Sequence, residues 1–91
     1  MGRASRPRVK NLGKKLKQIR EQMNLSQVGM AEALDFPSVH PTNISGYERG
    51  LREPPYPVLL KYARLARIST DYLIDDKLNV PRVLGPTMKW P

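Results

Sequence analysis

Arg3, Arg6, Arg8, Lys10, Lys14, Lys15, Lys17 and Arg20 place eight bases in the first twenty positions, with no acid among them. The remaining eight bases are matched by the chain's eight acids, so the whole net charge of +8 lies in that block. Such a cluster suits phosphate, because neutralising phosphates releases condensed counterions and makes binding steeply salt-dependent. It equally describes a solvated basic tail. A second group of polar residues is more spread out: Ser26-Gln27, then His40, Thr42, Asn43 and Ser45, then Arg49 and Arg52. Hydroxyl, carboxamide and guanidinium groups recognise phosphate oxygens and base edges. They do not make a catalytic set. One histidine and no cysteine leave no Cys–His nucleophile pair and no thiolate metal site, and no phosphate-loop spacing occurs. The expectation is no enzyme, no metal and no cofactor.

Hydrophobic spacing predicts the helices that position these groups. Leu12, Leu16, Ile19 and Met23 recur at i, i+4, i+7 and i+11, one stripe of a first helix. Asn11 is a candidate cap for it, and Asn24 suits a left-handed residue at its end. Lys14, Lys15 and Lys17 fall off the stripe and are expected to face water or a partner. Ser26 is the N-cap of a second helix over 27–34 that buries Met30, Ala31 and Leu34. Gly29 inside it is costly by roughly 1 kcal/mol against alanine, which implies a close backbone approach or simple tolerance. Pro37 and Pro41 stop that helix, and Pro41 opens a third over about 41–49 that buries Ile44 and Tyr47 and ends at Gly50. A fourth helix over about 57–67 buries Val58, Leu59, Tyr62, Ala63, Leu65 and Ala66. Ser69 or Thr70 caps a short fifth helix through Tyr72, Leu73 and Ile74.

Two short amphipathic segments joined by a loop, the second closed by glycine, have the layout of a helix-turn-helix. The ordered set Leu16, Ile19, Arg20, Leu25-Ser26-Gln27, Ala31, Leu34, Ile44-Ser45, Tyr47-Glu48-Arg49-Gly50, Arg52-Glu53-Pro54, Leu73 and Ile74 resembles the lambda-repressor-like, or Xre/Cro-type, DNA-binding domains over about residues 11–76. The resemblance implies a compact all-α, five-helix domain. It implies that Gln27 contacts backbone phosphate beside the Ser26 cap. The family's base-facing positions fall on Pro41, Thr42, Ser45 and Gly46, with Asn43 beside them. Arg49 and Arg52 reach phosphate or the adjacent minor groove, or are solvated. His40 is a phosphate or base contact, or a helix cap. Glu48 pairs with Arg20 in a partly buried structural ion pair. The family's tight turn is replaced here by the longer connection Asp35 to Pro41, anchored by Phe36 and Val39.

The expected organisation is a basic arm at 1–10, with Arg3, Arg6 and Arg8 placed to lie along a DNA groove, a helix-turn-helix domain at 11–76, and a Pro-rich apolar extension at 77–91. The extension packs on its own domain or on a second subunit. With 91 residues the chain reads as one small domain whose thin core favours a helical bundle or an oligomer. The expected partners are double-stranded DNA and a second copy of the chain; the expected role is a transcriptional regulator, most simply a repressor on a palindromic operator. An antitoxin-type or bridging module, which adds a protein partner to DNA, is the alternative. No apolar run approaches the roughly 18–20 residues of a membrane span, and no signal-type apolar core follows the basic start, so a cytoplasmic setting is expected.

Overall fold

In the computed structural model, which describes residues 10–81, the helices are α1 (Leu12–Gln22), α2 (Gln27–Leu34), α3 (Pro41–Glu48), α4 (Tyr56–Ala66) and α5 (Asp71–Ile74). There is no strand among the described residues. The arm residues 1–9, with Arg3, Arg6 and Arg8, and residues 82–91 lie outside the described part.

Each boundary has a local cause. α1 ends where Asn24 turns left-handed at φ 59°. The Asn24 N–H then bonds Glu21 O at 3.0 Å and the Leu25 N–H bonds Arg20 O at 3.1 Å, the paired bonds of a Schellman ending. α2 starts at Ser26, whose hydroxyl accepts the Gly29 N–H at 2.9 Å. It ends at Asp35, left-handed at φ 56°. α3 carries proline in its first turn and closes on Gly50 at φ 76°. There Gly50 N–H bonds Tyr47 O at 3.2 Å and Leu51 N–H bonds Gly46 O at 2.9 Å. At the head of α5 it is Ser69 whose hydroxyl accepts the Asp71 N–H; Thr70 makes no side-chain cap bond.

The helical stripes meet in one core. Tyr62, Leu16, Ile19, Met30, Leu34, Ile44 and Leu73 are its fully buried side chains. α1 packs on α3, α4 and α5, while α2 packs on α3 and α4, so the α2–α3 pair rests on a floor made by the other helices. The connection from Asp35 to His40 is held down by Val39, which is buried, and by Phe36, which packs against the core. Val80 is also a core residue, so the start of the segment read as an extension packs on its own domain.

Two details differ from the sequence reading. Lys15 is not solvent-facing: it is buried, and its Nζ donates to the Asp75 carbonyl at 2.8 Å. Its long stem covers apolar surface while the ammonium satisfies a carbonyl beyond α5. Asn11 makes no side-chain cap bond. Instead the Asp76 carboxylate accepts the N–H groups of Lys10 at 3.0 Å and Asn11 at 3.1 Å. The two ends of the domain are thus clipped together by groups about sixty residues apart in sequence.

The Asp76 clip has a pH signature. The two backbone donors hold its carboxyl below the ordinary aspartate value of 3.8. A carboxyl depressed in the folded state stabilises that state above its unfolded pKa, and the effect fades as pH falls through the lower, folded value. Hydrogen exchange at the Lys10 and Asn11 amides is therefore expected to accelerate, relative to core amides, as pH drops below about 4. Asp76→Asn should remove that extra step. An acid profile identical in wild type and variant would show that the clip carries no stability.

Candidate nucleic-acid interface

Arg20 on α1 and Glu48 at the end of α3 form the polar centre of the domain. Arg20 Nε donates to Glu48 Oε2 at 2.7 Å and Nη2 to Oε1 at 3.0 Å, a two-pronged pair. Arg20 Nη1 also donates to the Leu25 carbonyl at 2.9 Å. The pair is largely shielded, with side-chain exposures of 14% for Arg20 and 4% for Glu48. The hydrogen bond to Glu48 is the main reason the guanidinium pKa is raised, and burial opposes it. Tyr62 lies beneath, fully buried; its hydroxyl finds no hydrogen-bond partner among the described residues, and desolvation pushes its pKa up.

This pair controls the start of α2. Gln27, the first residue of α2, donates from Nε2 to Glu48 Oε1 at 3.3 Å. The Gln27 side chain is therefore fixed to the end of α3, and α1, α2 and α3 are tied at one point. Ser26 caps α2 by engaging Gly29 N–H. The N–H groups of Gln27 and Val28 belong to the first turn, where no intrahelical acceptor exists and an anion is favoured.

α3 has two faces. Ile44 and Tyr47 point into the core. Thr42 and Arg49 are exposed and Ser45 is half-exposed; at i, i+3 and i+7 they share one side of the helix. Arg49 is the residue with reach, and Thr42 and Ser45 present hydroxyls beside it. Pro41 sits half-buried in the first turn.

Three residues named from the sequence are placed differently from that face. Asn43 is half-buried, and its Oδ1 accepts the His40 N–H at 2.8 Å. A bidentate pair with adenine needs the carboxamide oxygen and nitrogen together, so Asn43 acts here as part of the α3 cap. His40 is exposed and is the N-cap residue of α3, beside the start of the exposed face. Gly46 is buried, because the methylenes of Arg52 lie over it. Arg52 itself is exposed and borders Tyr47, whose hydroxyl pKa is raised by burial and eased down by the guanidinium.

Gly13 carries no local signal that marks it out. A Cβ at this position would lie 2.7 Å from both the Tyr47 and Glu48 carbonyl oxygens. α1 therefore touches the end of α3 backbone to backbone, next to the Arg20–Glu48 pair. The glycine singled out from sequence, Gly29, is the tolerant one: its added Cβ would meet only the Leu25 and Ser26 side chains, at 3.3 and 3.4 Å.

Two short helices locked at a fixed angle, with a capped N-terminus on one and an exposed polar face on the other, define a helix-turn-helix domain of the lambda-repressor-like type. The chain belongs to the helix-turn-helix family, whose sequence pattern it matches over residues 16–73. It is similar to the HTH-type transcriptional regulator ImmR of Bacillus subtilis strain 168, at 41% identity over 64 residues, covering 70% of this chain and 48% of that protein. It is also similar to the uncharacterized HTH-type transcriptional regulator YqaE of the same organism, at 36% identity over 64 residues, with 70% and 53% covered. The chain spans about half the length of the curated relatives it matches. No solved structure gives a significant match. No helix among the described residues is long and apolar enough to cross a membrane.

Proposed function

We propose that the chain is a sequence-specific, double-stranded DNA-binding transcriptional regulator that acts as a repressor and binds a palindromic operator as a homodimer. α3 enters the major groove and presents Thr42, Ser45 and Arg49. The observation that carries this reading is the fixed geometry of the α2–α3 unit: an outward polar face on α3 and the start of α2 held beside it through Gln27 and Glu48. Phosphate is met by the first turn of α2 at Ser26 and Gln27, by His40 at the head of α3, and by the basic arm with Arg3, Arg6 and Arg8. The relatives named as transcriptional regulators support the same role.

Because Thr42 and Ser45 are short, phosphate contacts and DNA shape supply much of the affinity. In the proposed dimer α5, with Ile74 left 49% exposed, is the candidate face toward the second copy. A cytoplasmic setting follows from this role.

Selection of bound sites from random duplex DNA tests the proposal. The expected product is a two-fold repeat with half-site centres about one helical turn, roughly 34 Å, apart. Arg49→Ala should weaken binding to the selected site and leave the melting temperature unchanged, since Arg49 is exposed. Equal binding to all sequences, with a steep salt dependence only, would reject sequence-specific recognition.

A further inference from the structure

We infer that Arg52 is a base-reading residue specific for guanine, and that it replaces the side chain missing at Gly46. The inference rests on the reading of α3 as the helix in the major groove.

Position 46 follows Thr42 by one turn and so adjoins the outward face of α3. A glycine there offers nothing to a base. Yet the space is filled: a Cβ on Gly46 would lie 3.2 Å from Arg52 Cδ, 3.4 Å from Cγ and 3.8 Å from Cβ. Three consecutive carbons of the Arg52 stem run across the notch. The backbone fixes this course as well, because the Leu51 and Arg52 N–H groups both bond the Gly46 carbonyl, at 2.9 and 3.3 Å. The left-handed Gly50, at φ 76°, turns the chain back to allow it. Arg52 is thus anchored by its main chain to the residue that its side chain covers.

Arg49 supplies one guanidinium to the outward face, and the rest of that face leaves room for a second. Thr42 and Ser45 are short, and Asn43 is engaged as a cap. Arginine carries a rigid fork of donors that matches guanine O6 and N7. A contact to phosphate needs charge and no fixed stem. A stem seated in a notch instead reduces the side-chain freedom lost on binding, which is what directional pairing requires.

The test measures affinity of the full chain for its selected operator and for a panel with each base pair replaced in turn. It compares wild type with Arg52→Lys, Arg52→Ala and Gly46→Ala. Wild type should lose roughly five- to a hundredfold at one G·C pair in each half-site. Arg52→Lys, which keeps the charge but not the planar fork, should bind unrelated duplex as wild type does and show a weaker preference at that pair; Arg52→Ala should abolish the preference. Gly46→Ala, which pushes the stem aside, should blunt the same preference and no other. If both Arg52 variants weaken all panel members equally, Arg52 is a phosphate contact and the inference fails while operator recognition stands. If wild type itself shows no preference for any sequence, the underlying reading of α3 fails and the inference with it.

Discussion

Glu48→Ala should lower the melting temperature by roughly 12–24 °C. Removing one member of a shielded ion pair leaves a charge whose partner is gone, which costs about 3–5 kcal/mol in buried settings. Arg20 retains 14% exposure and its bond to the Leu25 carbonyl, so the lower end, about 3 kcal/mol, applies. In a domain of this size each kcal/mol moves the midpoint by roughly 4–8 °C. The total stability of small domains is only about 5–15 kcal/mol, so the loss is a large fraction of it. Glu48→Gln keeps the shape and one acceptor and should fall between wild type and alanine. The alanine variant also releases Gln27, whose Nε2 donates to Glu48 Oε1 at 3.3 Å, so operator affinity should fall even at temperatures where that variant is folded. Thermal unfolding by circular dichroism checks the first part. An unchanged midpoint would remove the pair from its structural role.

Gly13→Ala should destabilise the domain by about 1–3 kcal/mol, the usual range for overpacking a filled site. Helix propensity argues the other way, since alanine is better than glycine in a helix interior by about 1 kcal/mol. The clash decides the sign. Both atoms that a Cβ would meet, at 2.7 Å, are carbonyl oxygens of the α3 backbone, and these cannot rotate away as a side chain can. To accept the methyl group, α1 must move off α3 beside the ion pair. Gly29→Ala is the matched comparison: its neighbours are flexible side chains at 3.3 Å and beyond, so propensity prevails and stability should hold or rise. Denaturant unfolding of both variants measures the contrast. Equal effects at the two glycines would mean that the approach at Gly13 is not a constraint.

The contrast between these glycines shows where the sequence was readable. A helical stripe such as Leu12, Leu16, Ile19 and Met23 announces itself, because burial on one face repeats every turn. Caps are equally local: Ser26 before an apolar run, Asn24 where a left-handed turn is needed, and Gly50 at the end of α3 depend on neighbours a few residues away. The five helices and their order follow from such signals. What could not be read depends on which elements meet. Gly13 and Gly29 look alike in sequence, and only the crossing of α1 over α3 distinguishes them. Lys15 is one residue from the apolar stripe, but the Asp75 carbonyl that satisfies it comes from the far end of the chain. Asp76 clips the start of α1 for the same reason. At the interface, Asn43 had a local signal that favours capping: it is the third residue after His40, the position of a reciprocal cap. The Arg52 stem over Gly46 had none, because the turn at Gly50 that brings them together sets their distance.

In the proposed complex the outward face of α3, flanked by the start of α2, is the surface that meets DNA. Amide chemical-shift changes on titrating the protein with its selected duplex test this most directly. The largest changes are expected at Gln27, Val28, Thr42, Ser45, Arg49 and Arg52, with the buried residues of α4 little affected. Changes centred on α4 and α5, with Thr42 and Ser45 unmoved, would contradict it.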